Sequence, residues 1–184
     1  MSFRAVNRAG MPDHDPGLQR HHVLPRQLLG HGAFMRMFAG MGRQRYCFED
    51  FRENGVLLPC DEAAALRLGL PLHRGPHPLY TKLVVERVGQ IEAEWSRHRD
   101  TDPDAAATAA HMRLNLLQRA LRRYLLAGGR RVRLNRRDPL GAGVDFSELD
   151  GMADGLWAST QTAFAALPPP QPMPARPRNS SFAD

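Results

Sequence analysis

Apolar positions recur at helical spacing over Leu79, Leu83, Val84, Val88, Ile91 and Trp95, which predicts a long amphipathic helix. Pro78 suits its first position, where a missing N–H costs nothing. "DTDP" at 100–103 punctuates the chain. Thr101 or Asp102 can cap a second long helix through about Ala127, with a stripe of Leu114, Leu117, Leu121 and Leu125 and "AGG" as its stop. Upstream the pattern shortens. "LQRHHVL" at 18–24 predicts a strand ended by Pro25. Leu28, Leu29, Phe34, Met35 and Phe38 are expected in the core, on one or two helical turns interrupted by Gly30 and Gly32. "NGVLLP" at 54–59 pairs Asn-Gly turn chemistry with an apolar strand. Asp61 is placed to cap "EAAALRL", a short helix that Gly69 ends.

The remaining stretches set the boundaries. Residues 1–17 are polar, contain Gly and Pro breakers, and read as a flexible leader. Residues 18–99 hold the strands and the first long helix. Residues 100–167 read as a helical extension, with Phe146, Leu149, Leu156, Trp157 and Phe164 marking one or two further helices. From Pro168 to 184 the chain is proline-rich and polar, and is expected to be disordered. At 184 residues and 42% hydrophobic content, the chain suffices for one domain, or one domain plus an extension. Short strands among helices predict an α+β fold. No internal repeat is present.

Charge adds a direction. Twenty-five basic residues face 19 acidic ones, for a net charge of +6, and Lys82 is the sole lysine. The sign favours a polyanionic partner, and arginine's planar fork suits phosphate. Arg130, Arg131 and Arg133 begin the most basic run, a candidate nucleic-acid track or a solvated face. Cys47 and Cys60 form no CxxC pair, which excludes a cysteine-based zinc site and argues against a disulfide framework. The N-terminal stretch lacks the apolar run of a secretory signal, and nothing reaches the length of a membrane span. A cytoplasmic location, or export by a signal-peptide-independent route, is the expectation.

Four of the eight histidines fall in two tight clusters: His21 with His22, and His73 with His77. Phosphodiester hydrolysis needs a cation to stabilise charge on the phosphate and the leaving oxygen, and a base to activate water. Neutral imidazoles can hold a divalent ion, while a histidine left off the metal titrates near neutrality and can take the proton. Adjacent strand residues face opposite sides, so His21 and His22 can divide these tasks. Asn54, between the clusters, is a candidate to hold the base in one orientation, or simply a turn residue. The free N–H groups of a helix starting at Pro78 suit a phosphate oxygen. His14, His31, His98 and His111 have no partners at useful spacing.

"QRHH" at 19–22, "ENGVLLP" at 53–59 and "LPLHRGPHPLY" at 70–80 together resemble the AHH family of the HNH (ββα-metal, endonuclease VII-like) nucleases. The resemblance covers roughly residues 18–95, and it departs from the family at Arg20, where alanine is usual. It implies a small ββα-metal, treble-clef-type nuclease core around one divalent ion, with a predominantly α-helical C-terminal extension. His21 and His77 would be metal ligands and His73 a third. His22 would be the general base, Asn54 the residue that orients it or stabilises the turn, and Arg74 a charge stabiliser. Arg20 and Tyr80 would lie beside nucleic acid. Mg²⁺ is the first expectation for the ion, with Zn²⁺, Mn²⁺ or Ni²⁺ as alternatives.

The implied function is a metal-dependent endonuclease on DNA, or RNA less readily, without a dedicated base-reading module. The resemblance also implies a toxin or effector context, with a small acidic immunity protein as the natural partner. Two other readings fit the residues: a catalytically degenerate binding module on a nuclease fold, and a histidine-site hydrolase for another phosphoester.

Overall fold

A computed structural model describes residues 1–42, 48–127, 134, 137–139, 151 and 155. Strand β1 (Leu18–His22) pairs antiparallel with β2 (Gly55–Pro59), in a register that sets Leu18 opposite Pro59 and His22 opposite Gly55. Between the strands lie a 3-10 turn (Arg26–Gly30), helix α1 (Gly32–Gly40) and a single helical turn α2 (Phe51–Asn54). After β2 come α3 (Glu62–Leu68), a proline-rich loop, and two long helices, α4 (Pro78–His98) and α5 (Pro103–Leu126). The architecture is α+β: a two-stranded sheet set among helices.

Local chemistry explains the element ends. Asp61 Oδ1 accepts from the Ala64 amide at 2.7 Å, and Gly69 closes α3 in the left-handed region at φ +66°. Asp102, rather than Thr101, caps α5 by accepting from the Ala105 amide at 3.0 Å. The Asn54–Gly55 pair departs from Asn-Gly turn chemistry. Asn54 ends α2, and Gly55 opens β2 with ordinary negative φ. Glycine is required there by space, because an added Cβ would sit 2.1 Å from a Phe51 ring carbon. The first strand also ends two residues earlier than expected. The Val23 amide donates to the Asn54 carbonyl and the Leu24 amide to Asn54 Oδ1, turning both residues into the core.

One apolar core joins these parts. Leu24, Leu28, Met37, Leu58, Val84 and Val88 pack with Leu114, Leu121 and Leu125. Across the expected 99/100 boundary α5 shares the core of α4, because neither helix can bury its stripe without the other. The flexible leader is corrected. Phe3 is buried in a 3-10 turn (Phe3–Ala5), and the Asn7 side chain donates to the carbonyls of Asp15 and Leu18. Leu29, Met35 and Leu79, expected to be buried, are exposed, since Phe34, Met37 and Tyr80 take the inward positions of their helices. The helices expected around Phe146–Phe164 and the proline-rich tail lie outside the described residues. No helix among the described residues is long and apolar enough to cross a membrane.

Candidate metal centre

Strand alternation divides the histidine pair. His21 points inward and is 5% exposed, while His22 shares the opposite face with Arg20. The second cluster reaches His21 through backbone anchors. The His73 amide donates to the Pro59 carbonyl at 2.6 Å, which ties the loop to the end of β2. Gly75, at φ +82°, supplies the left-handed turn that brings the chain back within four residues. His77 occupies the N-cap of α4, and its carbonyl accepts from the Thr81 amide at 2.9 Å. His73 and His77 thus meet across a loop rather than along a helix.

The three rings converge. Centroids lie 4.7 Å apart for His21 and His73, 5.3 Å for His21 and His77, and 4.6 Å for His73 and His77. Each ring offers one nitrogen within 4.8 Å of the other two, a spacing from which small ring rotations reach metal–nitrogen distances of about 2.0–2.1 Å. His21 Nε2, His73 Nδ1 and His77 Nδ1 are buried and make no hydrogen bond. Buried polar atoms normally find a partner, so three orphaned nitrogens facing one point fit a divalent cation.

Electrostatics agrees. Burial, aided by the neighbouring imidazoles, holds His21 down to about 2, and burial with His77 nearby holds His73 to about 4. Burial also lowers His77, opposed by a hydrogen bond with the Leu134 backbone. Such a bond to a ligand's other ring nitrogen fixes its tautomer and orientation. All three rings are neutral at physiological pH, the form that binds metal.

His22 is held differently. Its ring lies flat on Phe3, with centroids 3.7 Å apart and planes 6° from parallel. Burial lowers its proton affinity, and the Glu49 carboxylate opposes that shift. Both His22 and the three converging histidines line an open cleft of about 650 Å³, together with Arg20, Arg26 and Lys82.

The profile of the AHH family, a nuclease family of the HNH/ENDO VII superfamily with conserved AHH, matches residues 2–121. The chain belongs to the AHH family. No curated protein and no solved structure matches it. The tripeptide of this AHH nuclease is Arg20-His21-His22, so arginine stands where the family description has alanine. The match begins ahead of β1 and ends inside α5, which agrees with a folded N-terminal segment and a shared core.

The other expected site residues make contacts of their own. Asn54 is fully buried and touches no imidazole. Its amide accepts from Leu24 N and Gln118 Nε2 and donates to the carbonyls of Leu24 and Phe48, so it stabilises the turn after His22. Tyr80 is 2% exposed, its ring lies 5.4 Å from His21 at the cleft, and its hydroxyl donates to the Val23 carbonyl at 2.6 Å. Arg20 Nη1 donates to the Phe3 carbonyl at 2.8 Å. Arg74 is exposed on the loop between His73 and His77, outside the residues that line the cleft. Arg130, Arg131 and Arg133 lie outside the described residues.

Sequence reasoning missed Arg26, Lys82 and Phe3. Lys82 lies five residues beyond His77 on α4, a spacing that helical periodicity does not pair. Nothing local marks Phe3, which meets His22 across nineteen positions.

Proposed function

We propose that this AHH-family chain is a single-metal endonuclease that hydrolyses phosphodiester bonds, in DNA ahead of RNA. The convergence of three unpaired, neutral histidine nitrogens on the wall of a basic cleft carries this reading. Strands β1 and β2 with the start of α4 would form the ββα-metal, treble-clef-type core. Helices α1 and α2 are inserted between the strands and α3 before the helix.

His21, His73 and His77 would hold one divalent cation. When bound, such an ion supplies charge stabilisation at the phosphate and the leaving oxygen. The donor set is all imidazole, which suits Zn²⁺ or Ni²⁺ better than the Mg²⁺ first expected, because Mg²⁺, like Mn²⁺, prefers oxygen ligands. His22 acts as the general base, accepting a proton from the attacking water as the new P–O bond forms and the ester P–O bond breaks. Phe3 covers one face of its ring, and its Nε2 is buried without a hydrogen-bond partner. Arg26, Lys82 and the free donors of Arg20 hold the phosphates, with Arg74 a contact for a phosphate beyond the cleft. A cleft of this sign would also steer an acidic immunity protein.

Nicking of supercoiled plasmid by the wild type and His22→Ala, with each divalent ion and with chelator, tests the proposal. Metal-dependent nicking is expected in the wild type, with a loss of about a hundredfold or more in His22→Ala at unchanged metal stoichiometry. Equal activity in both proteins would remove His22 from the mechanism. DNA binding without cleavage under any ion would leave a degenerate binding module, and cleavage of a small phosphodiester alone would leave another phosphoesterase.

A further inference from the structure

We propose that Arg20 and Phe3 form a clamp that positions His22, making the N-terminal segment part of the active site; this rests on His22 being the general base. Arg20 and His22 are two residues apart on β1 and share one face of the strand, opposite His21. The N-terminal segment lies across that face. Arg20 Nη1 donates to the Phe3 carbonyl at 2.8 Å, and the Phe3 ring stacks on the His22 imidazole at 3.7 Å, almost parallel.

The segment is anchored on its other side too. Ser2 bridges to Asp50, the Phe51 amide donates to the Met1 carbonyl at 2.7 Å, and the Phe51 ring meets Phe3 edge-on at 5.1 Å. Phe3 is consequently 6% exposed and held between an edge contact and a face contact. An alanine in place of Arg20 has no donor for the Phe3 carbonyl. The departure from the AHH tripeptide therefore has a physical role: the arginine fixes the segment that sets the plane of the base. A general base works only within hydrogen-bond reach and alignment of the proton it takes, so a freed ring loses rate rather than affinity. His21 lies on the other face of β1 from the clamp.

Two readouts test this on the full-length protein. The first is the NMR shift of the His22 ring protons in metal-free protein, assigned by their absence in His22→Ala. Stacking on Phe3 moves them upfield, and the shift is expected to vanish in Phe3→Leu, to fall in Arg20→Ala, and to persist in Phe3→Trp. The second is plasmid nicking. Phe3→Leu is expected to lose about tenfold or more in kcat at unchanged KM and unchanged metal affinity, with Phe3→Trp restoring it. Arg20→Ala should lose kcat, and Arg20→Lys should recover part of it.

An upfield shift that survives Arg20→Ala would overturn the clamp. So would wild-type kcat in a Phe3→Leu protein that has lost the shift, or a rise in KM at unchanged kcat in Arg20→Ala, which would leave Arg20 a phosphate contact alone. If the wild type nicks nothing under any ion, the nuclease reading fails and takes the clamp's role with it. A persisting upfield shift would then record a structural contact only.

Discussion

Asn54 carries four hydrogen bonds inside the core: two backbone groups of Leu24, the Phe48 carbonyl and the Gln118 amide all meet its side chain. Asn54→Ala would leave a buried Leu24 amide and a Gln118 side chain without partners. The expected cost is about 3 kcal/mol or more, read by chemical denaturation. A base-orienting role confined to catalysis would instead lower activity at unchanged stability. The histidines divide along the same line between local and distant determinants. His21 and His22 were legible as a split pair because strand alternation is a local rule. His31, His98 and His111 found bland partners: His31 stacks on Phe34, His98 pairs with Glu94 at 3.0 Å, and His111 lies 3.4 Å from Asn115.

At the scale of elements, the junction between α2 and β2 decides the register of the sheet. Gly55 faces His22 across the strands, and the Phe51 ring occupies the space where any side chain at 55 would begin. Gly55→Ala is expected to cost about 2 kcal/mol, since the ring must move within packed surroundings. It should also reduce nicking, because the shift reaches the strand that carries His21 and His22. Unchanged melting temperature and activity would show that Phe51 yields freely. The long helices α4 and α5 were legible because a 3.6-residue apolar period and capping residues are read locally. Val23 and Leu24 were misread as strand because buried turn and buried strand share the same apolar letters. Their turn is set by Asn54, thirty residues away from Leu24.

For the whole molecule, the buried imidazoles couple folding to pH. His21 and His73 titrate lower in the folded chain than in the unfolded one, where the ordinary value is 6.5. Below that pH the unfolded chain binds more protons. Stability of the metal-free protein is therefore complete above about pH 6.5 and falls as the medium is acidified. Each depressed histidine contributes a slope of up to about 1.4 kcal/mol per pH unit, for His73 until about pH 4. Divalent ion at a hundredfold excess over its Kd should add about 2.7 kcal/mol at neutral pH, and this gain should vanish in His21→Ala. Thermal melts across pH, with and without chelator, check both. A metal-free melting temperature that is flat from pH 7 to pH 5 would contradict the burial of these rings.

The residues alone determined the helices and their caps, the net positive charge, and the two histidine clusters as the candidates for metal chemistry. Those properties depend on side-chain type and on spacing within a few residues. Tertiary structure decided the rest. It brought His73 beside His77 through a loop bent at Gly75, set both against His21, sank Asn54 and Tyr80 into the core, and folded Phe3 over His22. These contacts join positions tens of residues apart. They follow from how one shared core packs, and no local period in the chain encodes that packing.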